Sequence, residues 1–162
     1  MTEVEATKLL SDLSAVATQL NKQSDSINEI LGAWEQKLRA LNIGLDVWVT
    51  LSTEEASVTV EDDSPAADPS ATKDVHGSLD HQLGWDKYID NTWRLLTRQV
   101  TYRLDLLERQ EIWRSEMPQP IRSASRKVRI DALEALPRLL QQLKKDAEEA
   151  VGKIERAKTL VK

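Results

Sequence analysis

The chain has 162 residues, of which 40% are apolar and 30% are charged, and its net charge is −5. This composition is typical of a globular protein and excludes a chain that is disordered or membrane-embedded throughout. Cysteine is absent, which excludes disulfides, thiolate catalysis and iron–sulfur clusters. No apolar run approaches the ~18 residues of a membrane span, and the acidic amino terminus is unlike a secretory signal, so we expect a cytoplasmic protein without membrane contact.

Residues 2–42 are predicted to form one long helix. Apolar residues recur in alternating steps of three and four from Leu9 to Leu41, which is a heptad-like pattern. Thr2 and Glu5 have the spacing of a capping box, in which each side chain bonds the backbone of the other residue. This helix is longer than an isolated globular domain usually needs.

The middle of the chain is predicted to form a small antiparallel β-meander of three or four strands. Residues 45–60 alternate between apolar and polar side chains, as strands do. Residues 61–82 are acidic and contain two prolines and few large apolar residues, so we expect a flexible loop. Residues 83–103 are predicted to form a β-hairpin with a two-residue turn at Asp90 and Asn91. Residues 104–122 are predicted to be a turn-rich connection.

A second long helix is predicted over residues 123–161, with Ser123 or Ser125 as its N-cap. Pro137 lies inside the apolar pattern and should kink the helix, because proline lacks the backbone donor and clashes with the preceding turn. Since the two periodic segments are of nearly equal length, we expect the helices to be antiparallel and to flank the meander. The predicted fold is a single α+β domain over residues 1–162.

The apolar stripe of each predicted helix is wider than the seam between two helices. About three positions in seven are apolar, whereas a two-helix seam uses two. Two helices packed only against each other would leave much of this surface in water. The pattern therefore predicts a homodimer whose four helices form a bundle.

Neither histidine is predicted to take part in catalysis or metal binding. A divalent site built from Asp74, His76, Asp80 and His81 is chemically possible, but a flexible loop lacks the second shell that would hold these ligands in place. The paired acids of the chain lie in polar segments where nothing raises a pKa, and its glycines are scattered. We therefore expect no metal, no cofactor and no enzymatic activity.

The start of the second helix contains three arginines, Arg122, Arg126 and Arg129, where the helix macrodipole disfavours positive charge. Such a placement has two explanations, which the sequence does not separate. The arginines bind an external anion together with the free amides of the helix start, or they pair with the acidic loop or a partner chain. The second explanation is favoured, because the sequence pI of about 5.2 is low for a dedicated nucleic-acid binder.

We therefore predict a non-enzymatic interaction protein, such as a regulatory, inhibitory or adaptor module, that acts as a homodimer on an unidentified protein partner. The residues expected to contact the partner are the three arginines together with Trp48 and Trp113, because exposed tryptophan is frequent at binding hot spots. The alternative is a nucleic-acid-associated accessory protein that uses the basic region 92–130. In that case Arg94, Arg98 and Tyr102 would contact a single strand.

Overall fold

The computed structural model describes residues 2–61, 72–104 and 110–160, and the fold is α+β, as predicted. The chain begins and ends with a long helix, and an antiparallel sheet lies between the two helices in the sequence. The elements in chain order are α1 (Glu3–Ala40), β1 (Val47–Glu61), β2 (Thr72–Lys87), β3 (Trp93–Leu104), β4 (Gln110–Ser115), β5 (Gln119–Pro120), a 3₁₀ turn (Ile121–Ser123) and α2 (Arg126–Leu160).

Helix α1 begins and ends close to the predicted boundaries. The capping box is present: Thr2 Oγ1 accepts from the Glu5 amide, and the Thr2 amide donates to the Glu5 carboxylate. Asn42, two residues after the helix, has a φ of 50°, a left-handed conformation that asparagine tolerates and that commonly ends helices. The cap signals therefore predicted this helix correctly at its start.

The sheet is a meander in the order β1-β2-β3-β4. Strand β5 pairs with β3 on the same edge as β4, at Leu96 and Thr97, before the residues of β3 that pair with β4. Residues 45–60 were expected to contain separate strands; instead one long strand begins at Val47 and continues through residue 60, with an irregularity between Thr50 and Ser52. The loop expected over residues 61–82 is wrong for residues 72–82, which belong to β2. Strand β2 lies between β1 and β3 and pairs with β1 from Thr72 to Trp85, so backbone pairing orders a segment whose side chains bury little.

Two further predictions for the meander need correction. The hairpin between β2 and β3 has a three-residue turn, in which the Asn91 amide donates to the Tyr88 carbonyl, and of the expected pair only Asn91 has a positive φ, at 60°. This is the common arrangement of a type I turn followed by a left-handed residue. The predicted connection 104–122 contains β4, β5 and the start of the 3₁₀ turn. These short strands have no clear alternation and form because β3 offers them a free edge.

Helix α2 continues through Pro137, which lies on its exposed side. Of the two serines proposed as N-cap, Ser125 takes this role, because its Oγ accepts from the Val128 amide at 3.4 Å. One face of α2 packs on the sheet and is buried from Ala132 to Leu143. The other buried members of this core come from α1, from the sheet and from the 3₁₀ turn, and include Leu31, Leu38, Leu83, Trp85, Leu95 and Ile121.

The two helices run in the same direction, and the antiparallel arrangement expected from their lengths is wrong. Arg126 and Arg129 at the start of α2 bond α1 at Asn21 and at Asn28, respectively. Leu143, fourteen residues after Arg129, lies beside Leu38 of α1. Later residues of α2 therefore contact later residues of α1. The prediction failed because the strands β3–β5 return the chain to the middle of α1 before α2 begins.

Side chains of α1 also bind the part of the β3 edge that β4 and β5 leave free. The Leu95 amide donates to Glu35 Oε2 at 3.0 Å, and Arg39 Nε donates to the Trp93 carbonyl at 2.8 Å. Glu35 and Arg39 also form an ion pair with each other. These bonds satisfy backbone groups of an open strand edge and hold the second half of α1 against the sheet. No helix of residues 2–61, 72–104 and 110–160 is both long and apolar enough to cross a lipid bilayer.

Candidate functional site

The first half of α1 has an apolar stripe that no other part of the described chain covers. We call residues 3–20 the α1 tail; they project past the start of α2 by about 27 Å at 1.5 Å per residue. The large side chains of this stripe are 43–66% exposed and comprise Leu9, Leu10, Leu13, Val16 and Leu20. The same helical phase continues into Ile27, Leu31 and Leu38, which pack in the core of the second half. The stripe thus has the pattern of a buried helix face, but no described residue packs against it.

The last half of α2 has a second exposed stripe, at the opposite end of the molecule. We call residues 144–160 the α2 tail; it is about 26 Å long, and most of it lies past the end of α1. Val151 and Ile154 are more than half exposed, and the remaining positions of the stripe are the small residues Ala147, Ala150 and Ala157. Because the helices run in the same direction, the two tails cannot reach each other within one chain.

An apolar groove of about 500 Å³ lies where the α2 tail leaves the core. One wall is the end of α1 and the following residues, and the other is the α2 segment from Leu140 to Val151. Among the described residues that line it, Lys144 and Glu148 are the charged ones. The groove therefore extends the stripe of the α2 tail back to the core of the protein.

The arginines at the start of α2 bond polar groups of α1. Arg126 donates to Asn21 Oδ1 at 2.9 Å, and Arg129 donates to Asn28 Oδ1 at 2.6 Å and Ser24 Oγ at 2.9 Å. Both residues are half-buried. These bonds give Arg126 and Arg129 partners inside the chain, on α1 rather than in the acidic segment.

Arg122 differs from the two helical arginines because its side chain is exposed. Its guanidinium lies beside Gly32 of α1, 3.7 Å from the position that a Cβ atom would occupy there. It therefore follows the same α1 surface as Arg126 and Arg129. The structure brings these three predicted site residues together along α1.

Trp48, Arg98 and Tyr102, which the sequence assigned to two different functions, lie together on the sheet face away from the helices. The Arg98 guanidinium stacks on the Trp48 indole at 3.9 Å, and the indole also lies against Gly84. Gln82 joins the group, accepting from Arg98 Nε at 2.9 Å and donating to the Tyr102 hydroxyl at 3.2 Å. Burial lowers the pKa of Arg98, and the negative charges of neighbouring acidic groups oppose that shift.

This cluster leaves little aromatic surface for stacking on a nucleic-acid base. The Trp48 indole has the strand backbone at Gly84 and the Arg98 guanidinium against its ring. Arg94, the third basic residue considered for a nucleic-acid contact, forms an ion pair with Asp90 at 2.6 Å and lies over Tyr88. The side chain of Trp113 lies outside the described residues.

The histidine segment is ordered in β2, and its side chains point to both sides of the sheet. Asp74 and Asp80 accept hydrogen bonds from threonines of β1, and His81 contacts Gln99 across the strand pair at 3.4 Å. His76 and His81 are five residues apart on a strand and so lie on opposite faces. Among residues 2–61, 72–104 and 110–160, no three His, Asp or Glu side chains are close enough to hold a metal ion.

Comparisons with protein-family models, with curated proteins and with solved structures found no significant match to this chain. Its function is therefore argued from the residues and contacts alone. The sequence identified the apolar stripes as too wide for one helix pair, but it did not show which half of each helix stays exposed. Which halves stay exposed depends on the direction of α2 relative to α1, and the structure shows that direction.

Proposed function

We propose that this chain is a non-enzymatic interaction protein, of the regulatory or adaptor type, that acts as a homodimer through the exposed stripes of its helix tails. The observation that supports this most directly is the stripe of the α1 tail. Its residues have the phase and spacing of a buried helix face and yet meet water in the single chain. An apolar surface of this kind on a soluble protein usually marks an interaction site.

The stability of the α1 tail supports the same proposal. Apart from the half-buried Ala6, every residue from Thr2 to Asn21 is exposed, so the tail has almost no tertiary contact with the rest of the described chain. Isolated helices of this length are marginal in water, because nucleation is costly and propagation adds little per residue. A partner that packs on the stripe would stabilise the helix as well as cover its apolar side chains.

The apolar surface that stays exposed represents a free energy of the size that dimerisation requires. Burying a large aliphatic side chain contributes about 1.5–3 kcal/mol, so five side chains that are roughly 60% exposed leave about 5–9 kcal/mol unused per chain. A symmetric dimer uses this twice, which is comparable with or larger than the about 4–15 kcal/mol that association costs. The alternative of a nucleic-acid contact has less support, since Arg94 and Arg98 have partners within the chain.

The test is the molecular mass in solution, measured by light scattering from micromolar to 100 µM protein. We expect twice the chain mass of 18.3 kDa for the wild type. Leu13→Gln should raise the dissociation constant about a hundredfold, since two leucines per dimer are lost. The matched control is Ala15→Gln, which adds the same side chain on the opposite side of the helix and should leave the dimer intact. A wild type that remains at the single-chain mass throughout this range would refute the proposal.

A further inference from the structure

The two tails have matching length and opposite positions in the fold. The α1 tail is about 27 Å long and the α2 tail about 26 Å, and they project from opposite ends of the molecule. A second copy turned by a two-fold axis perpendicular to the helices would place its α2 tail beside the α1 tail of the first copy. The same rotation would place the remaining two tails side by side at the other end.

We infer that the α1 tail of one chain packs antiparallel on the α2 tail of a second copy, so that a closed two-fold dimer covers all four stripes. This inference rests on the proposed function and specifies which surfaces meet. The isologous interface repeats the same contact at both ends and leaves no further tail free to recruit more copies. The dimer therefore has one antiparallel helix pair at each of its two ends, formed by an α1 tail and an α2 tail.

The apolar spacings of the two tails match layer by layer when the chains are antiparallel. Both stripes step by three and four residues, and one register aligns every member with a facing residue. Leu13 and Val16 of the α1 tail then face the small residues Ala150 and Ala147 of the α2 tail, which allows close helix approach there. The facing pairs are Ala6 with Ala157, Leu9 with Ile154, Leu13 with Ala150, Val16 with Ala147 and, just before the α2 tail, Leu20 with the buried Leu143.

The positions that flank this seam are complementary in the same register. On one side of the seam Glu3 faces Lys158, and Leu10 faces Val151, which is also apolar. On the other side Asp12 faces Lys153. Flanking charges of this kind determine which helices pair and in which orientation. The positive amino end of α1 would also lie beside the negative carboxyl end of the partner's α2, which is a favourable arrangement of helix dipoles.

Pairing of two α1 tails, or of two α2 tails, is less favourable than pairing of an α1 tail with an α2 tail. An antiparallel pair of α1 tails aligned layer by layer brings Asp12 of the two chains together, and the tail has a net charge of −2. The α2 tail has a net charge of +1, so two α2 tails also carry charge of the same sign. Charge therefore favours the mixed pairing over either self-pairing.

The apolar groove also supports the pairing of the α1 tail with the α2 tail of a second copy. In the register above, Val16 and Leu20 of the second copy lie at Ala147 and Leu143, both of which line the groove. These two side chains would enter the groove beside Leu38 and Leu41 and fill space that is otherwise solvent-exposed. The seam thus continues into the core of each subunit.

The absence of cysteine makes a cross-linking experiment direct. Chains with Leu9→Cys and chains with Ile154→Cys are purified separately, mixed, allowed to exchange and oxidised mildly. We expect a disulfide-linked dimer in the mixture and almost none in either variant alone, because identical cysteines in the two-fold dimer lie far apart. The control mixture replaces Leu9→Cys with Ala15→Cys, whose cysteine faces away from the seam, and should not cross-link.

The outcomes separate this inference from the proposed function. Cross-linking of Leu9→Cys with itself, in a protein that is dimeric by light scattering, would overturn the mixed pairing and leave the homodimer standing. A protein that is monomeric by light scattering would overturn both.

A charge-swap series checks the register without cysteine. Asp12→Lys and Lys153→Asp should each raise the dissociation constant about tenfold, and the double variant should restore it. A double variant that is weaker than both single variants would overturn the register.

Discussion

Replacing Gly84 with alanine would place a methyl group directly against the indole of Trp48. A Cβ atom at Gly84 would lie 2.4 Å from two ring atoms and 2.7 Å from a third, whereas carbon atoms pack at about 3.5–4.0 Å. The indole must therefore retreat by about 1 Å. It has little room to do so, because the Arg98 guanidinium is stacked on the ring at 3.9 Å and is itself held by Gln82.

The expected cost follows from these contacts. Overpacking a well-packed site typically costs about 1–3 kcal/mol, and displacing the half-buried cation–π contact costs about 0.5–1 kcal/mol of that total. We therefore expect Gly84→Ala to lower the free energy of unfolding by about 1–3 kcal/mol. Urea denaturation followed by far-ultraviolet circular dichroism at one fixed protein concentration measures it, since the concentration also affects the stability of a dimer.

Gly152 in α2 provides a matched control with the opposite sign. A Cβ atom there would meet nothing within 4 Å, and alanine stabilises a helix interior by about 0.5–1 kcal/mol relative to glycine. Gly152→Ala should therefore raise the free energy of unfolding. Equal stability of Gly84→Ala and wild type, or an equal loss in both variants, would refute the reasoning.

Three further substitutions test the fold. Gly77→Ala should destabilise more than Gly84→Ala in the same urea assay, because its new methyl group would lie 2.3 Å from the backbone oxygen of Tyr102 and must displace a strand. Ser125→Ala should lower the melting temperature, with a loss of about 1 kcal/mol, because the α2 N-cap bond disappears. Hydrogen bonds from Thr92 hold the pKa of Asp90 at about 2, below its ordinary 3.8. The ionised Asp90 therefore stabilises the folded protein above pH 4, and this contribution is lost as the pH falls towards 2. Asp90→Asn should flatten that part of a curve of unfolding free energy against pH.

The helices were predictable because their signals are local. The capping box at Thr2 and the N-cap at Ser125 bond backbone groups three residues away, and the apolar period is read within a few turns. Pro137 did not end the predicted helix, and α2 indeed continues through it. Interactions between residues three and four apart are encoded in adjacent sequence, so they can be read without knowledge of the tertiary fold.

Residues 72–82 of β2 were predicted as a loop because their order comes from other parts of the chain. The first half of β2 has charged and small residues that resemble a loop, and only pairing with β1 and β3 satisfies its backbone groups. Gly77 and Gly84 lie where a strand or an indole approaches the backbone closely, a role that composition does not reveal. Long-range pairing of this kind has no local signature.

The candidate site was predicted only in part. The width of the apolar stripes predicted a second copy, which remains a proposal, whereas the arginines near the start of α2 gave no indication of their partners. Arg126 and Arg129 meet α1 because β3–β5 bring the start of α2 beside Asn21 and Asn28. Likewise, Trp48 and Arg98 are fifty residues apart and meet only through the strand order.

The amino-acid sequence alone determined two amphipathic helices with their caps, an antiparallel meander between them, and more apolar helix surface than one pair of helices can bury. Only the tertiary structure decided that the helices run in the same direction and that the first half of one and the last half of the other remain exposed. The reason is physical: periodicity determines which face of a helix is apolar, whereas helix direction depends on how often the chain crosses the sheet, and those crossings depend on strand pairs distant in sequence.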